Sequence, residues 1–237
     1  MITSNQNPTF KKLKKLKLKK YRDLYQQFLV YGNHLIEQSQ KTLYQNTLIE
    51  IYTSTETKEG TLISPILMKE LSQTKTVFDQ IALCRVPLAS DLLNDKILAL
   101  ENIQDPANLG ALMRSALAFG FHQIFVSFHS ADFYHEKTVR VSQGALFELA
   151  LQRGNLKNFL ENLKNKDYRI FSTSPHKTNF DIQTSQRYLK KVLVLGNEGT
   201  GISPLIESLS DGLLKIETQK VESLNVAIAG SILMYLL

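Results

Sequence analysis

Residues 96–127 read KILALENIQDPANLGALMRSALAFGFHQIFVS. Ile97–Leu100 is a continuous apolar run, Leu109, Leu112, Met113, Ala116 and Leu117 recur at helical spacing, and Gln123–Phe128 is again β-like. A strand, a helix and a second strand in so short a stretch predict two parallel strands joined by a helical crossover. The rhythm continues downstream through Ala145–Leu151, a helix around Leu156–Asn165, strand-like runs at Tyr168–Ser172 and Val192–Leu195, and a last helix from Leu224. This alternation predicts an α/β, parallel-sheet domain over residues 96–237 with helices on both faces.

Upstream, Pro87, Ser90, Asp91, Asn94 and Asp95 interrupt the apolar pattern between Arg85 and Asp95, which places a linker there. Before it, residues 21–88 show helical spacing at Tyr25, Phe28, Leu29, Leu35 and Ile36, a β-rich run at Thr47–Thr53 and a helical patch at Pro65–Leu71. They predict a smaller α/β domain. The chain carries 28 basic and 22 acidic residues, and eight of the basic ones (Lys11, Lys12, Lys14, Lys15, Lys17, Lys19, Lys20 and Arg22) lie in one short run. The rest of the chain is slightly acidic. Residues 1–20 therefore read as a basic N-terminal arm, either a solvated face or, with Leu13, Leu16, Leu18 and Leu24 interspersed, a partly helical segment that neutralises phosphates.

Cys84 is the single cysteine, which excludes an intramolecular disulfide and fits a reducing compartment. No signal-peptide core follows the lysines, and Val226–Leu237 is about half the roughly 20 residues of a membrane span. A cytoplasmic protein without a membrane partner is expected. His34, His122, His129, His135 and His176 lack metal-ligand spacing, so no metal site is expected.

Three loops have the composition of a chemical site. In DPANLGALMRSALAFG (105–120), Asn108 precedes the helical stripe and serves either as a helix cap or as a ligand-facing amide. Arg114 lies off the stripe, roughly 240° round the helix from Asn108. In GNEGTGIS (196–203), three glycines follow an apolar strand and allow close backbone approach to a ligand. The loop has neither the Lys-Ser/Thr pair of a Walker loop nor a dinucleotide fingerprint. In KIETQKVESLNVAIAGSILMYLL (215–237), Ser223 stands at a plausible N-cap and Asn225 one step inside the helix.

In this order and spacing, NLGALMRSA, VLVLGNEGTGIS and SLNVAIAGSILMY resemble the motifs of the SpoU/TrmH-type RNA 2′-O-methyltransferases, a branch of the SPOUT class. ADFYHEKTVRVSQGALFELA (131–150) resembles the family's intervening stretch, with Lys137, Arg140, Gly144 and Phe147 in expected places. NPTFKKLKKLKLKKYRDLYQQFLVYG (7–32) and SQTKT (72–76) resemble the small ribosomal-protein-like substrate-binding domain of ribosomal-RNA members. Two departures stand out. Where the family usually reads IPMxGxxxSLNV, this chain has IETQKVES before Leu224, one residue shorter and without the Pro or Gly, and Tyr31 stands where an acidic residue is usual.

The resemblance implies a deep trefoil knot in the C-terminal domain, a homodimer with the active site at its interface, and S-adenosylmethionine as methyl donor. Its donor-binding positions map to Leu195, Gly196, Gly201, Ile216 and Leu224. Catalysis would rest on Arg114, Asn108, Glu198, Ser223 and Asn225, with RNA gripped by Lys11, Lys12, Lys14, Lys15, Lys19, Lys20 and Arg22. Ribosomal RNA is the expected substrate. A transfer-RNA substrate, and a non-catalytic RNA-binding protein on the same scaffold, are the alternatives.

Overall fold

The Lys-Leu segment at the start of the chain is folded, not a free arm. The computed structural model describes residues 1–41, 47–72, 77–88, 93–174 and 176–237, and these form two compact units. In the first unit, Asn7 caps α1 (Pro8–Lys15) by accepting from Thr9 N and Phe10 N, with proline in the first turn where no N–H is needed. Phe10, Leu13 and Leu16 recur three residues apart and are buried in a core with Leu29, Tyr31, Tyr52, Ile63, Met68 and Ile81. Leu13 and Leu16, set between the lysines, are thus anchors.

Helix α2 (Lys19–Tyr25) ends at Gln26, whose φ of 51° reverses the chain into β1 (Gln27–Tyr31). Helix α3 (Asn33–Lys41), β2 (Leu48–Thr53), β3 (Thr61–Leu62), α4 (Pro65–Leu71) and β4 (Gln80–Arg85) follow, and the sheet order is β1-β4-β2-β3. The expected helical pattern through Phe28 and Leu29 is corrected here. Phe28–Tyr31 is a continuous apolar run buried on both faces of a strand, a pattern that periodicity does not separate from a helix. SQTKT falls almost wholly outside the described residues, as do Ser90 and Asp91 of the linker.

The second unit opens with β5 (Lys96–Leu100), α5 (Pro106–Ala118) and β6 (Gln123–Ser127). Residues 132–147, with α6 (Glu136–Val141) and a 3-10 turn at Ala145–Phe147, cluster with the first unit and not, as expected, with the second. Their anchors are apolar and ionic: Phe28 packs on the rings of Tyr134 and Phe147, and Arg22 donates through Nε and Nη2 to Asp132 at 2.9 and 2.7 Å. Arg22 is 4% exposed and also donates to Leu16 O and Lys17 O, so the RNA contact expected of it is corrected to a structural one.

The chain re-enters the second unit at β7 (Ala150–Gly154) and continues through α7 (Leu156–Lys164), β8 (Arg169–Thr173), α8 (Ile182–Ser185), β9 (Lys191–Leu195), α9 (Pro204–Leu209), β10 (Gly212–Leu214) and α10 (Val226–Leu236). The expected element at Ala145–Leu151 therefore splits between the units. All five ladders of the six-stranded sheet, ordered β10-β8-β9-β5-β6-β7, are parallel. Val192–Leu195 in β9 is fully buried, as a central parallel strand requires. Parallel pairing puts the C-terminal ends of β8, β9, β5 and β10 on one edge, where ligand sites of such sheets form. None of the helices among the described residues is long and apolar enough to cross a membrane.

Arg22→Met is expected to destabilise the protein by about 3–5 kcal/mol in urea unfolding, because Asp132, 12% exposed, is left as an unpaired charge. Unchanged stability with weakened RNA binding would instead return Arg22 to the RNA surface.

Candidate active site

Three segments distant in sequence meet through one carboxylate. The Glu198 Oε1 and Oε2 atoms accept from Gln104 N at 3.2 and 3.1 Å, and Oε1 also accepts from Asp105 N at 3.1 Å and Asn108 Nδ2 at 3.0 Å. These donors are exposed by geometry: Gln104 and Asp105 close the loop after β5, and Asn108 sits in the first turn of α5. Asp105, not Asn108, caps that helix, accepting from Ala107 N at 2.9 Å. Asn108 is thereby free to bridge. Its Oδ1 accepts from Asn225 Nδ2 at 3.0 Å.

Asn225 closes the chain of contacts as the N-cap of α10, accepting from Ala227 N and Ile228 N. The cap expected at Ser223 is corrected by two residues: Ser223 precedes the helix and lines the cavity described below. Burial alone would push the Glu198 carboxyl up, but the donations from Asn108, Gln104 and Asp105 outweigh it and hold the group below its usual 4.5. The carboxylate is the form the network needs.

The glycine-rich loop is held from behind by residues that motif reading overlooked. Asn197 donates from Nδ2 to Asn102 O at 2.8 Å and accepts through Oδ1 from Gly199 N and Thr200 N. Glu101 accepts from Ser203 N at 2.8 Å and from Ser203 Oγ at 2.7 Å. Asn197 and Ser203 lie inside the GNEGTGIS stretch, so side-chain capping of a tight turn was the available signal. A Cβ on Gly196 would lie 2.1 Å from the Gly201 carbonyl carbon, so the turn closes only with glycine there.

Beside this network is a cavity of about 480 Å³, walled by Leu195, Leu214, Leu224 and Leu233 and edged by Gly196–Gly199 and Glu222–Asn225. All five expected donor-binding residues, Leu195, Gly196, Gly201, Ile216 and Leu224, line it, together with Glu198, Ser223 and Asn225. Arg114 is not brought into this group. It is exposed on α5, about 9 Å along the axis from Asn108, and no described residue pairs with it.

The expected RNA lysines belong to the first unit. Lys14 pairs with Glu70 and Lys19 with Asp23, whereas Lys11, Lys12, Lys15 and Lys20 have no carboxylate partner among the described residues.

Residues 95–235 match the model of a family described as the SpoU rRNA methylase family. The chain belongs to that family. Residues 7–85 of this SpoU-family chain match the MRM3-like substrate binding domain. It is 30% identical to the 23S rRNA (guanosine(2553)-2′-O)-methyltransferase RlmP of Bacillus subtilis, over 99% of this chain and 97% of that protein. A solved RNA 2′-O ribose methyltransferase matches with a TM-score of 0.83 at 25% identity, over 99% of this chain and 96% of its own. The S-adenosylmethionine-bound rRNA methyltransferase of Sinorhizobium meliloti shares the fold, with a TM-score of 0.87 at 22% identity over 99% and 95%.

The lowered pKa of Glu198 sets a pH signature. A group whose folded value is lowered stabilises the loops above its unfolded value and loses that effect as pH falls through the folded one. The backbone amide resonances of Gln104 and Asp105 should therefore titrate with a midpoint below 4.5, and Glu198→Gln should abolish the titration. A midpoint above 4.5 in the unmodified chain would mean that the carboxylate is not held as described.

Proposed function

We propose that the chain methylates a ribose 2′-hydroxyl of ribosomal RNA with S-adenosylmethionine as donor, acting as a homodimer in the cytoplasm. The observation that carries this reading is the Glu198–Asn108–Asn225 network at the rim of the cavity, in a chain of the SpoU family. The first unit is proposed as the RNA substrate-binding domain. Its match to a substrate-binding model and the likeness to a 23S rRNA enzyme favour ribosomal over transfer RNA.

The cavity suits the donor. Its volume falls within the usual range for small-molecule sites, roughly 300–1,000 Å³. The aliphatic walls fit a purine, the loop backbones at Leu195–Gly201 and Ile216–Leu224 offer hydrogen-bonding edges, and the carboxylates of Glu198 and Glu222 favour a cation. The shortened 216–223 loop supplies Ile216, Thr218, Glu222 and Ser223 to the lining without the family's usual proline and glycine. A deep trefoil knot is proposed for residues 191–237, supported by family membership and by the way Asn225 and α10 close against Asn108 and α5.

The bound donor would supply an electrophilic methyl on a sulfonium. The protein's own task is to align the ribose oxygen with it, since correct alignment contributes up to about 7–11 kcal/mol in ideal cases. Asn108, fixed between Glu198 and Asn225, presents its amide where a ribose would lie. A guanidinium stays protonated in proteins, so Arg114 acts as a cation: it binds the adjoining phosphate and steadies the alkoxide as the hydroxyl proton leaves to a phosphate oxygen or water. Because Arg114 stands apart from the cluster within one chain, the site is completed by a second copy. Ile228 and Tyr235, 53% and 73% exposed on the apolar α10, support such a dimer.

With tritiated donor and unmodified ribosomal RNA, Arg114→Ala should lose methyl transfer by about two to three orders of magnitude, the scale of removing one charge-stabilising donor. Donor binding should stay near normal. Undiminished transfer by this variant would remove Arg114 from the mechanism.

A further inference from the structure

The face of the first unit formed by α1 and α2 carries more than charge. On α1, Lys11 and Lys15 point away from the side that buries Phe10, Leu13 and Leu16, and the half-buried Lys12 lies at its margin. On α2, the half-buried Tyr21 and Tyr25 are one turn apart, their rings 6.0 Å between centroids and within 17° of parallel, and Tyr25 also packs one side against the first unit's core. The lysines reach over these rings: Lys12 Nζ lies 5.6 Å from the Tyr25 centroid, and Lys15 and Lys20 lie 5.4 and 4.8 Å from that of Tyr21. Leu18 and Leu24, three residues either side of Tyr21, are 55% and 68% exposed and extend the rings into an apolar strip.

A solvated basic face needs no aromatic floor, and duplex RNA is gripped through phosphates and 2′-hydroxyls with no use for one. A flat apolar strip bordered by ammonium groups that have no carboxylate partner among the described residues instead matches the two parts of an unpaired nucleotide: the base as a π-face and the phosphate as an anion. The rings are held by one helix, and that helix is anchored by the buried Arg22. We propose that this face binds a single-stranded or looped RNA segment, with unpaired bases stacked on Tyr21 and Tyr25. Lys11, Lys12, Lys15 and Lys20 take the flanking phosphates, leaving the ring faces they now cover. This inference rests on RNA being the substrate and specifies which form of RNA the first unit holds.

Fluorescence anisotropy on the full chain tests it, with a mixed-sequence RNA strand of about 16 nucleotides, the upper site size of single-strand grooves, and the same strand in duplex. The single strand should bind more tightly at equal salt. Tyr21→Ala with Tyr25→Ala should weaken single-strand binding roughly five- to a hundredfold per base lost, with duplex binding and salt slope unchanged. Tyr21→Phe with Tyr25→Phe should retain affinity, and unchanged thermal melting of the alanine pair separates stacking from a folding defect, since Tyr25 also packs on the core. Lys11→Gln with Lys15→Gln should flatten the single-strand salt slope by about 0.7 per lysine. Equal loss of duplex and single-strand binding in the alanine pair, or no loss, would overturn the proposal, as would tyrosine-dependent binding to phosphatidylserine vesicles exceeding that to RNA. Donor titration of the same samples keeps the two readings apart: intact donor binding with tyrosine-independent RNA binding sinks only this inference.

Discussion

One carboxylate ties the cavity-bearing edge of the parallel sheet together. Glu198 lies on the loop after β9 and accepts from the loop after β5 and from the first turn of α5, while Asn108 passes the connection on to the cap of α10. Hydrogen bonds to an ionised acceptor are roughly twice as strong as neutral ones. They also satisfy backbone N–H groups that the ends of strands leave without partners. The loops after β9 and β5 and the start of α10 are therefore placed relative to the same charge.

That arrangement depends in turn on steric permission. Gly196 lets its own turn close against the Gly201 backbone, and Gly230 lets α10 settle where a Cβ would meet Leu112 and Leu195 side chains at 2.5 Å. Ser115 and Ser231 bond across the same helix pair at 2.7 Å. The cavity thus has a rigid back wall of strand β9 and helix α10, and polar edges held by side-chain caps. A site that must orient a weak nucleophile gains from such pre-organisation, because the loops need not reorder during reaction.

Much of this was legible in the residue pattern. Strand and helix alternation from Lys96 onward announced the parallel sheet, since a buried parallel strand such as Val192–Leu195 is an uninterrupted apolar run. The clustering of Asn108, Glu198 and Asn225 was legible only through motif order, because hydrogen bonds across 90 residues or more leave no local periodicity. Arg22 was misread for the same reason: inside a run of lysines it has the appearance of surface charge, and its partner Asp132 lies 110 residues away. Phe28–Tyr31 was misread because four consecutive apolar residues fit a helix and a strand alike. The assignment of 132–147 to the first unit rests on ring packing against Phe28, which no sequence spacing encodes.

Calorimetric titration of the purified chain with S-adenosylmethionine, and with S-adenosylhomocysteine in parallel, tests whether the cavity beside Glu198 holds the methyl donor. Saturable binding approaching one donor per chain, lost in a Gly196→Ala chain that remains folded, is the expected result. Absence of binding in a folded sample free of copurified ligand would contradict it and leave an RNA-binding protein on a methyltransferase scaffold.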